Sequence, residues 1–319
     1  MSTHNSFIHL ALAFDQNFIT PFYVLLTSVF ENNKHNNLQI HAVATGVGTE
    51  ERQKIADFVK SNNALISFYE VDEAYVASFA TSKDSRYGLA TFYRLLLPAM
   101  LPLQIEKIIY IDVDVIVIGD LAELYNIPIP GVPIAAVPDP VEWDRLDLDI
   151  PDRANYFNAG VLLINIALWK SQHIAEKAIK FLKEHPEKAI YVDQDALNAV
   201  LIGNWLKLGD KFNYTYRVVP RASQTFLNEL LKSKTIIHYN ESVKPWHRHS
   251  ASPLKYVYHN YFRKSPISHK NNYFPIKYSA KNVYEIIKYS LFNAYINYES
   301  AVSGWRRIKL FINKNGVSE

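Results

Sequence analysis

The fold of this chain is decided by a short apolar stretch that two carboxylates interrupt. Residues 107–118 read Lys-Ile-Ile-Tyr-Ile-Asp-Val-Asp-Val-Ile-Val-Ile. β-Branched and aromatic residues dominate on both sides of the two aspartates, a composition typical of a buried strand. The apolar run is nearly continuous rather than alternating, as in a strand that is covered on both faces. The stretch therefore predicts one strand of a sheet with helices on both sides.

The segments around this stretch alternate between strand and helix patterns. Buried strands are also predicted at 7–14, 38–44, 64–71, 133–137, 157–165 and 235–239. Helices are predicted after Thr20-Pro21, where a cap residue precedes proline, and at 49–61, 90–100, 166–185 and 194–202. This alternation predicts an α/β fold with a mainly parallel sheet, and such sheets bind ligands at the carboxyl ends of their strands.

Length and composition exclude several classes of protein. The chain has 319 residues, 49% of them hydrophobic and 20% charged, as in an ordinary globular domain. It has no cysteine, so disulfides, thiolate zinc sites and a cysteine nucleophile are excluded. No run of about 18 apolar residues predicts a membrane span. The N-terminal segment lacks the basic start of a secretory signal, so we expect a cytoplasmic protein.

The charge of the chain changes near residue 250. From Lys255 onward there are eleven lysines and arginines but three glutamates, a net charge of +8, whereas the first 254 residues carry −5. We expect a domain at 1–250 and a basic, aromatic extension at 251–319. Two interpretations of the extension stay open: association with the anionic inner face of the cytoplasmic membrane, or packing as a small helical cap. The acidic domain and the lack of a nucleic-acid motif argue against a nucleic-acid partner.

Asp112 and Asp114 are the first candidate site residues. Residues i and i+2 of a strand project to the same side, so a continuous strand would bring the two carboxylates together. Two like charges on one buried face are costly unless a cation or hydrogen-bond donors neutralise them, and carboxylate oxygens suit Mn²⁺ or Mg²⁺. The alternative interpretation is a pair of aspartates that cap loops at the end of a strand.

Three further polar clusters lie downstream. Asn158-Ala159-Gly160 precedes an apolar run and suggests a close approach of the backbone to a ligand, or simply a tight loop. Asp193-Gln194-Asp195 precedes a helical stretch, where one aspartate is explained by capping and the other two residues remain available. The third cluster is His238-Tyr239-Asn240-Glu241-Ser242-Val243-Lys244-Pro245-Trp246. A histidine at the end of a buried strand is more often a core residue than a ligand, so this cluster alone is ambiguous.

Taken in order, these clusters resemble one enzyme family. The segments IIYIDVDVIVIGDL, YFNAGVLLINIALWK, YVDQDALNAVL and HYN…KPWH are similar to the blocks of glycosyltransferase family 8, the retaining, nucleotide-sugar-dependent family of bacterial lipopolysaccharide galactosyl- and glucosyltransferases. The resemblance spans roughly residues 7 to 250. It implies the GT-A fold, a Rossmann-like α/β architecture with a mainly parallel sheet flanked by helices.

The resemblance also implies a role for individual residues. Asp112, Asp114 and His238 match the family's metal ligands, which hold Mn²⁺ or Mg²⁺ against the diphosphate of a UDP-sugar, and Lys244 matches a lysine that binds the diphosphate. The matches to the nucleotide and sugar pockets are Ala13, Asp15 and Asn17 for uracil and ribose, Val113 through its backbone, Arg94 beside the donor sugar and its phosphate, and Asp139, Asn158, Ala159, Asp193 and Gln194 around the sugar.

The implied reaction is transfer of a hexose, galactose or glucose, from a UDP-sugar to a saccharide or lipid-linked saccharide acceptor in surface-glycan synthesis. The metal and Lys244 would stabilise the leaving UDP. Retention proceeds through a covalent glycosyl-enzyme or by front-face attack. Gln194 lies where a nucleophile would sit, but an amide is a poor nucleophile. Front-face displacement is therefore favoured, with Asp195 as the alternative covalent candidate and Asp193 beside it.

Glu241 is the one departure from the family pattern. The family usually has glycine three residues after the ligand histidine, where it permits close approach of the backbone to phosphate or acceptor. A carboxylate there repels a diphosphate unless it faces solvent or the metal. Glu241 therefore favours a second hypothesis, a catalytically weak sugar- or nucleotide-binding protein that retains the fold.

Overall fold

A computed structural model describes residues 7–80, 88–140, 143–215, 219, 222–247, 250 and 252–269, and positions 283, 284, 287, 288 and 291. The strands in this part of the chain are β1 (Ile8–Asp15), β2 (Leu38–Thr45), β3 (Leu65–Tyr69), β4 (Lys107–Ile111), β5 (Val115–Val117), β6 (Ile134–Pro138), β7 (Phe157–Asn165), β8 (Leu206–Lys207), β9 (Tyr214–Thr215) and β10 (Ile236–His238).

Seven of these strands form the main sheet, in the order β3-β2-β1-β4-β7-β6-β8. Strand β7 runs antiparallel to β4 and β6, and the other neighbouring pairs are parallel. The predicted α/β class with a mainly parallel sheet is therefore confirmed.

The stretch at 107–118 forms two strands in two different sheets, so the prediction of one continuous strand was wrong. Strand β4 ends at Ile111, the chain turns at residues 113–114, and β5 joins β10 and β9 in a second, three-stranded sheet. The backbone of the two aspartates takes part in this change of sheet. The Asp112 N–H donates to the Gly160 carbonyl at 2.8 Å, and the Asp114 carbonyl accepts from the Tyr239 N–H at 3.0 Å.

Helices cover both faces of the main sheet. They are α1 (Ile19–Asn32), α2 (Thr49–Ser61), α3 (Glu73–Ala77), α4 (Tyr93–Met100), α5 (Ala122–Tyr125), α6 (Ile166–Ser171), α7 (Ile174–Glu184), α8 (Val192–Val200), α9 (Gln224–Leu231) and α10 (Lys255–Lys264). Strand β1 shows why both faces are buried: Leu10 and Leu12 belong to the core under α1 and α2, whereas Ala11 and Ala13 belong to the core under α4, α6 and α7.

Two predicted helix boundaries were wrong. Thr20 does not cap α1, because Asp15 caps a short 3₁₀ turn at 16–18 by accepting from the Asn17 N–H at 2.7 Å, and α1 follows that turn directly at Ile19. The segment predicted as one helix at 166–185 is two helices, since the backbone between α6 and α7 turns at His173, which has a φ of 54°.

The first part of the predicted C-terminal extension is packed on the domain. Helix α10 lies against α1, and Val257, Tyr258, Phe262 and the following Ile267 are buried in the larger core. The helical cap at residues 255–267 is therefore observed. The aromatic residues predicted for a membrane surface at 273–278 and from 292 onward lie outside the described residues. Within the part of the chain that is described, no helix is long and apolar enough to cross a bilayer.

Candidate functional site

A cleft of about 300 Å³ opens at the carboxyl edge of the main sheet. Asp15 ends β1, Asp112 follows β4, Asp139 follows β6 and His238 ends β10, so four strand ends bring polar side chains to one place. The predicted site residues that line the cleft are Ala13, Asp15, Arg94, Asp112, Val113, Asp114, Asp139, Asn158, Asp193, Gln194, His238 and Lys244. Asn17, Ala159 and Asp195 do not line it, although all three lie next to residues that do.

The three predicted metal ligands lie together at the floor of the cleft. One oxygen of Asp112, one oxygen of Asp114 and one nitrogen of His238 all lie within 4.8 Å of one another. Among the described residues, the buried Oδ1 of Asp114 accepts no hydrogen bond, and Nε2 of His238 lies 3.3 Å from it. Two carboxylates and an imidazole suit Mn²⁺ or Mg²⁺, and an unsatisfied buried carboxylate oxygen is an expensive feature without a cation. The residues present therefore fit a divalent metal.

Gly160 leaves the room for this arrangement. A β-carbon at Gly160 would lie 2.3 Å from Cε1 of His238 and 2.8 Å from Oδ2 of Asp112, well inside contact distance. Only glycine lets β7 pass this close to the side chains of Asp112 and His238. The close backbone approach that the Asn-Ala-Gly sequence suggested is thus an approach to the side chains of the candidate metal ligands.

Asn213 orients the ring of His238. The carbonyl Oδ1 of Asn213 lies 2.9 Å from Nδ1 of His238, while its Nδ2 donates to Oδ1 of Asn158 at 2.8 Å. Because Asn213 presents its oxygen, His238 carries its proton on Nδ1, and Nε2 keeps its lone pair for a metal. Asn213 was not found from the sequence, since no spacing connects it with the histidine 25 residues later.

Arg94 connects the Asp112–Asp114–His238 group with Asp193 and Ala159. Its guanidinium lies 3.0 Å from Oδ1 of Asp112 and 2.6 Å from Oδ2 of Asp193, and it donates to the Ala159 carbonyl at 2.6 Å. Burial raises the pKa of Asp112, and the charge of Arg94 opposes this increase. Burial also raises the pKa of Asp193 to about 7, again against Arg94. The guanidinium of Arg94 thus forms ion pairs with the carboxylates of both Asp112 and Asp193.

Lys244 lies next to Asp114, whereas Arg94 lies next to Asp112. Its Nζ is 2.6 Å from Oδ2 of Asp114 and donates to the Tyr239 carbonyl at 2.8 Å. Burial acts to raise the pKa of Asp114, but the ammonium of Lys244, and after it the adjacent His238 ring, outweigh burial and hold that pKa well below its usual range. Asp114 is therefore ionised at neutral pH, as a metal ligand must be.

Asp139, Asn158 and Gln194 form one hydrogen-bonded cluster. Oδ2 of Asp139 accepts from Asn158 at 2.9 Å and from Gln194 at 3.2 Å, and Oε1 of Gln194 accepts from the Ala159 N–H at 3.0 Å. Helix α8 presents Asp193 and Gln194 from its first turn. The preceding Val192 has a φ of 43°, which is costly for a β-branched residue, so the turn is held by its surroundings.

Asp195 lies behind the cleft, fully buried. It pairs with the guanidinium of Arg145, accepts from the Tyr156 hydroxyl at 2.6 Å and accepts from the Tyr191 N–H at 2.6 Å. A carboxylate engaged by three donors and outside the cleft is poorly placed to attack a sugar. Neither Arg145 nor Tyr156 was among the predicted site residues, although Tyr156 opens the block YFNAGVLLINIALWK.

Glu241 lines the cleft together with Asn240 and Ser242. Its side chain is half-buried and stands in the same loop as Lys244. The departure from glycine at this position therefore leaves the loop within the lining of the cleft.

The cleft mouth carries an aromatic face. Trp143 is 45% exposed and stacks on Tyr191, with ring centroids 6.5 Å apart and an interplanar angle of 18°. Tyr191 itself lines the cleft. Exposed aromatic rings next to a polar cleft offer flat, apolar surface for the faces of sugar rings.

The chain is similar to known proteins in sequence and in fold. The model of the family described as glycosyl transferase family 8 matches residues 9–250. General stress protein A of Bacillus subtilis is 28% identical over 80% of this chain and 92% of its own, and the lipopolysaccharide 1,3-galactosyltransferase of Salmonella typhimurium is 28% identical over 82% and 79%. The galactosyltransferase LgtC, solved with donor and acceptor sugar analogues, superposes with a TM-score of 0.71 at 22% identity, covering 81% of this chain and 96% of that one. At that identity the likeness to LgtC shows the fold.

Proposed function

This chain belongs to glycosyltransferase family 8, and from that premise we propose that it transfers galactose or glucose from a UDP-sugar to a saccharide acceptor, with retention of configuration. The observation that carries the proposal is the meeting of the Asp112–Asp114–His238 group with the Asp139–Asn158–Gln194 cluster in one cleft. The first is suited to a metal diphosphate, and the second offers acceptors and donors for sugar hydroxyls.

The leaving group in this reaction is a diphosphate, and charge develops on it as the glycosidic bond breaks. Asp112, Asp114 and Nε2 of His238 would hold a divalent cation, which would supply a Lewis acid for that charge. Lys244 adds a second positive charge on the same side, because its ammonium already lies beside Asp114. Arg94 holds Asp112 and Asp193 in place between the two halves of the cleft.

We favour front-face displacement over a covalent glycosyl-enzyme. Both oxygens of Asp195 are engaged by donors and lie outside the cleft. Gln194 lines the cleft and carries no ionisable group. In a front-face reaction the acceptor hydroxyl enters on the side from which UDP leaves, so the enzyme needs no nucleophile of its own.

The acceptor belongs at the cleft mouth in this proposal. The stacked rings of Trp143 and Tyr191 would cover the face of an acceptor sugar, and the Glu241 carboxylate can accept from its hydroxyls. Two of the similar proteins act on lipopolysaccharide according to their names. We infer that the acceptor is a lipopolysaccharide or another surface glycan, which can be lipid-linked.

Association with an anionic membrane surface is a separate part of the proposal. Val283, Tyr284, Ile287 and Leu291 are exposed and follow helical spacing, and the ammonium of Lys288 lies 5.8 Å from the Tyr284 ring centroid. Apolar side chains interleaved with basic ones are typical of a segment that lies at the headgroup level. The basic charge of the C-terminal segment supports the same assignment.

The test is release of UDP from UDP-galactose, UDP-glucose and their N-acetyl forms, with Mn²⁺ and with excess chelator. We expect turnover with at least one donor, loss in chelator, and near loss in Asp112→Asn and Asp114→Asn. Asp57→Asn, an exposed aspartate of α2, is the matched control. The second hypothesis, a weakly catalytic binding protein, predicts UDP binding without turnover in all conditions.

A further inference from the structure

The side-chain amide of Gln194 can make four hydrogen bonds, and three of them are already made within the protein. Its Nε2 donates one hydrogen to Oδ2 of Asp139 at 3.2 Å and the other to the Tyr156 hydroxyl oxygen at 3.0 Å. Its Oε1 accepts from the Ala159 N–H at 3.0 Å. An amide group has two hydrogens and two lone pairs on oxygen, so one lone pair of Oε1 remains. Toward a bound substrate, Gln194 can therefore act as an acceptor but not as a donor.

The orientation of this amide depends on the direction of the Tyr156 hydroxyl. Oδ1 of Asp195 lies 2.6 Å from the Tyr156 oxygen, and the two carboxylate oxygens also face the Arg145 guanidinium and the Tyr191 N–H, so Asp195 is surrounded by donors and acts as the acceptor. The Tyr156 proton thus points to Asp195, and its lone pair is left for Gln194. Tyr156 is fully buried, so water does not compete for either contact.

We propose that Tyr156, held by Asp195, is a positioning residue that fixes the orientation of the Gln194 amide, so that its oxygen rather than its NH₂ group serves the substrate. The inference rests on the proposed function. A flipped amide would place NH₂ against the Ala159 N–H and oxygen against the Asp139 carboxylate and the Tyr156 lone pair.

The chemical consequence concerns the sugar while its bond to UDP breaks. Positive charge then develops at the anomeric carbon and its ring oxygen, and a fixed carbonyl dipole stabilises it without having to reorient. An NH₂ group in the same place would oppose that charge. Asp195 thereby acts through Tyr156 and Gln194, and not by forming a bond to the sugar.

Tyr156→Phe tests the proposal, because it removes the hydroxyl and keeps the ring that packs in the core. With UDP-galactose or UDP-glucose, whichever the wild type turns over faster, we expect kcat to fall about tenfold and KM to change less than twofold. In a Gln194→Ala background, the same substitution should cost nothing further. Tyr23→Phe, which removes a buried hydroxyl that donates to Glu51 at 3.0 Å outside the cleft, should leave kcat unchanged.

An equal loss of kcat in both backgrounds, an unchanged kcat, or a change in KM alone would overturn the positioning role. A second measurement reads the amide without turnover. The side-chain ¹⁵N–¹H₂ signals of Gln194, identified by their loss in Gln194→Ala, should shift and exchange faster with solvent in Tyr156→Phe. Unchanged signals overturn the inference whether or not the chain releases UDP, whereas shifted signals without turnover would uphold it and refute the proposed function.

Discussion

Gly160 is the residue whose substitution most directly tests the candidate metal group. Because a β-carbon there would lie 2.3 Å from His238 and 2.8 Å from Asp112, Gly160→Ala must push two ligands apart or bend β7. We expect Mn²⁺ affinity to fall by at least about a hundredfold, the upper end of the loss seen when ligand orientation is disturbed. Titration of free Mn²⁺ by electron paramagnetic resonance measures this affinity without turnover.

Gly48→Ala is the control for this substitution, because a β-carbon there meets nothing within 4 Å. It should bind Mn²⁺ like the wild type. Wild-type affinity in Gly160→Ala, with an unchanged melting temperature, would show that the metal does not bind between these three side chains.

Lys244 is expected to act on the transition state more than on the bound substrate. Charge on the leaving diphosphate is largest as the bond breaks, so an ammonium beside it is worth most at that point. Lys244→Ala should lower kcat by about a hundredfold, in the range of other lost charge-stabilising donors, with a smaller rise in KM. Steady-state kinetics with a UDP-sugar measures both, and Lys54→Ala on α2 is an exposed control. A rise in KM alone contradicts the role.

At the residue scale, the sequence predicts the side chains that motifs hold in fixed spacing and misses those that the fold alone brings near. Asp112, Asp114, His238 and Lys244 were assigned from four short blocks, and the structure brings all four together. Asn213 lies outside the four blocks, and Tyr156 opens one of them without being assigned a role; their importance lies in hydrogen bonds to residues 25 and 38 positions away.

Among the elements, β1, β2 and β3 share a buried polar chain that predicts how stability depends on pH. Nδ1 of His9 lies 3.0 Å from Nε2 of His41, whose Nδ1 lies 2.9 Å from the Tyr69 hydroxyl. Burial, and then the neighbouring His9, lower the pKa of His41 from 6.5 to about 4, and burial also lowers that of His9. No carboxylate of the described residues hydrogen-bonds to either ring, and the Phe7 ring also lies next to His9, with ring centroids 6.4 Å apart.

His41 therefore stays neutral in the folded state until the pH approaches 4, whereas in the unfolded chain it binds a proton near pH 6.5. The pKa of His9 is shifted in the same direction. The free energy of unfolding should decrease as pH falls through this window, by about 3 kcal/mol for His41 alone. Urea titrations at each pH should show a smaller decrease in His41→Gln than in the wild type. His185→Gln, a half-exposed histidine that follows α7, is the control. Equal pH dependence in His41→Gln and the wild type would contradict this account.

The elements also show where sequence patterns lose information. Helix α2 and strand β7 were predicted to the residue, because clear amphipathic or apolar periods end at polar residues. The break between β4 and β5 was missed because Val113 is as apolar as its neighbours. Val113 is buried, with 8% of its surface exposed. An apolar residue indicates burial, and Val113 would be buried whether the chain continued in one sheet or crossed to another.

At the scale of the whole molecule, helix α10 decides where the domain ends. Its buried Val257, Tyr258 and Phe262, with Ile267, close the core over α1, and Asn32 donates to the Tyr261 hydroxyl at 2.8 Å. Burying each such side chain is worth about 1.5–3 kcal/mol. A chain that ends at Pro253 should therefore fail to fold or melt far below the wild type, whereas a chain that ends at His269 should keep its melting temperature in calorimetry. Equal melting temperatures of the wild type and of both shortened chains would place the domain boundary near residue 250.

The chain ending at His269 also isolates the membrane proposal, because it keeps the described packing and loses eight lysines and arginines and three glutamates. Basic residues near an anionic surface contribute about 1 kcal/mol each at low salt, and the exposed apolar residues at 283–291 would add burial at the headgroups. The full chain should co-sediment with vesicles containing phosphatidylglycerol, much less with phosphatidylcholine alone, and less as salt rises. The chain ending at His269 should stay in the supernatant. If both chains sedimented equally, or if sedimentation of the full chain did not depend on lipid charge, the basic residues after His269 would not bind a membrane surface.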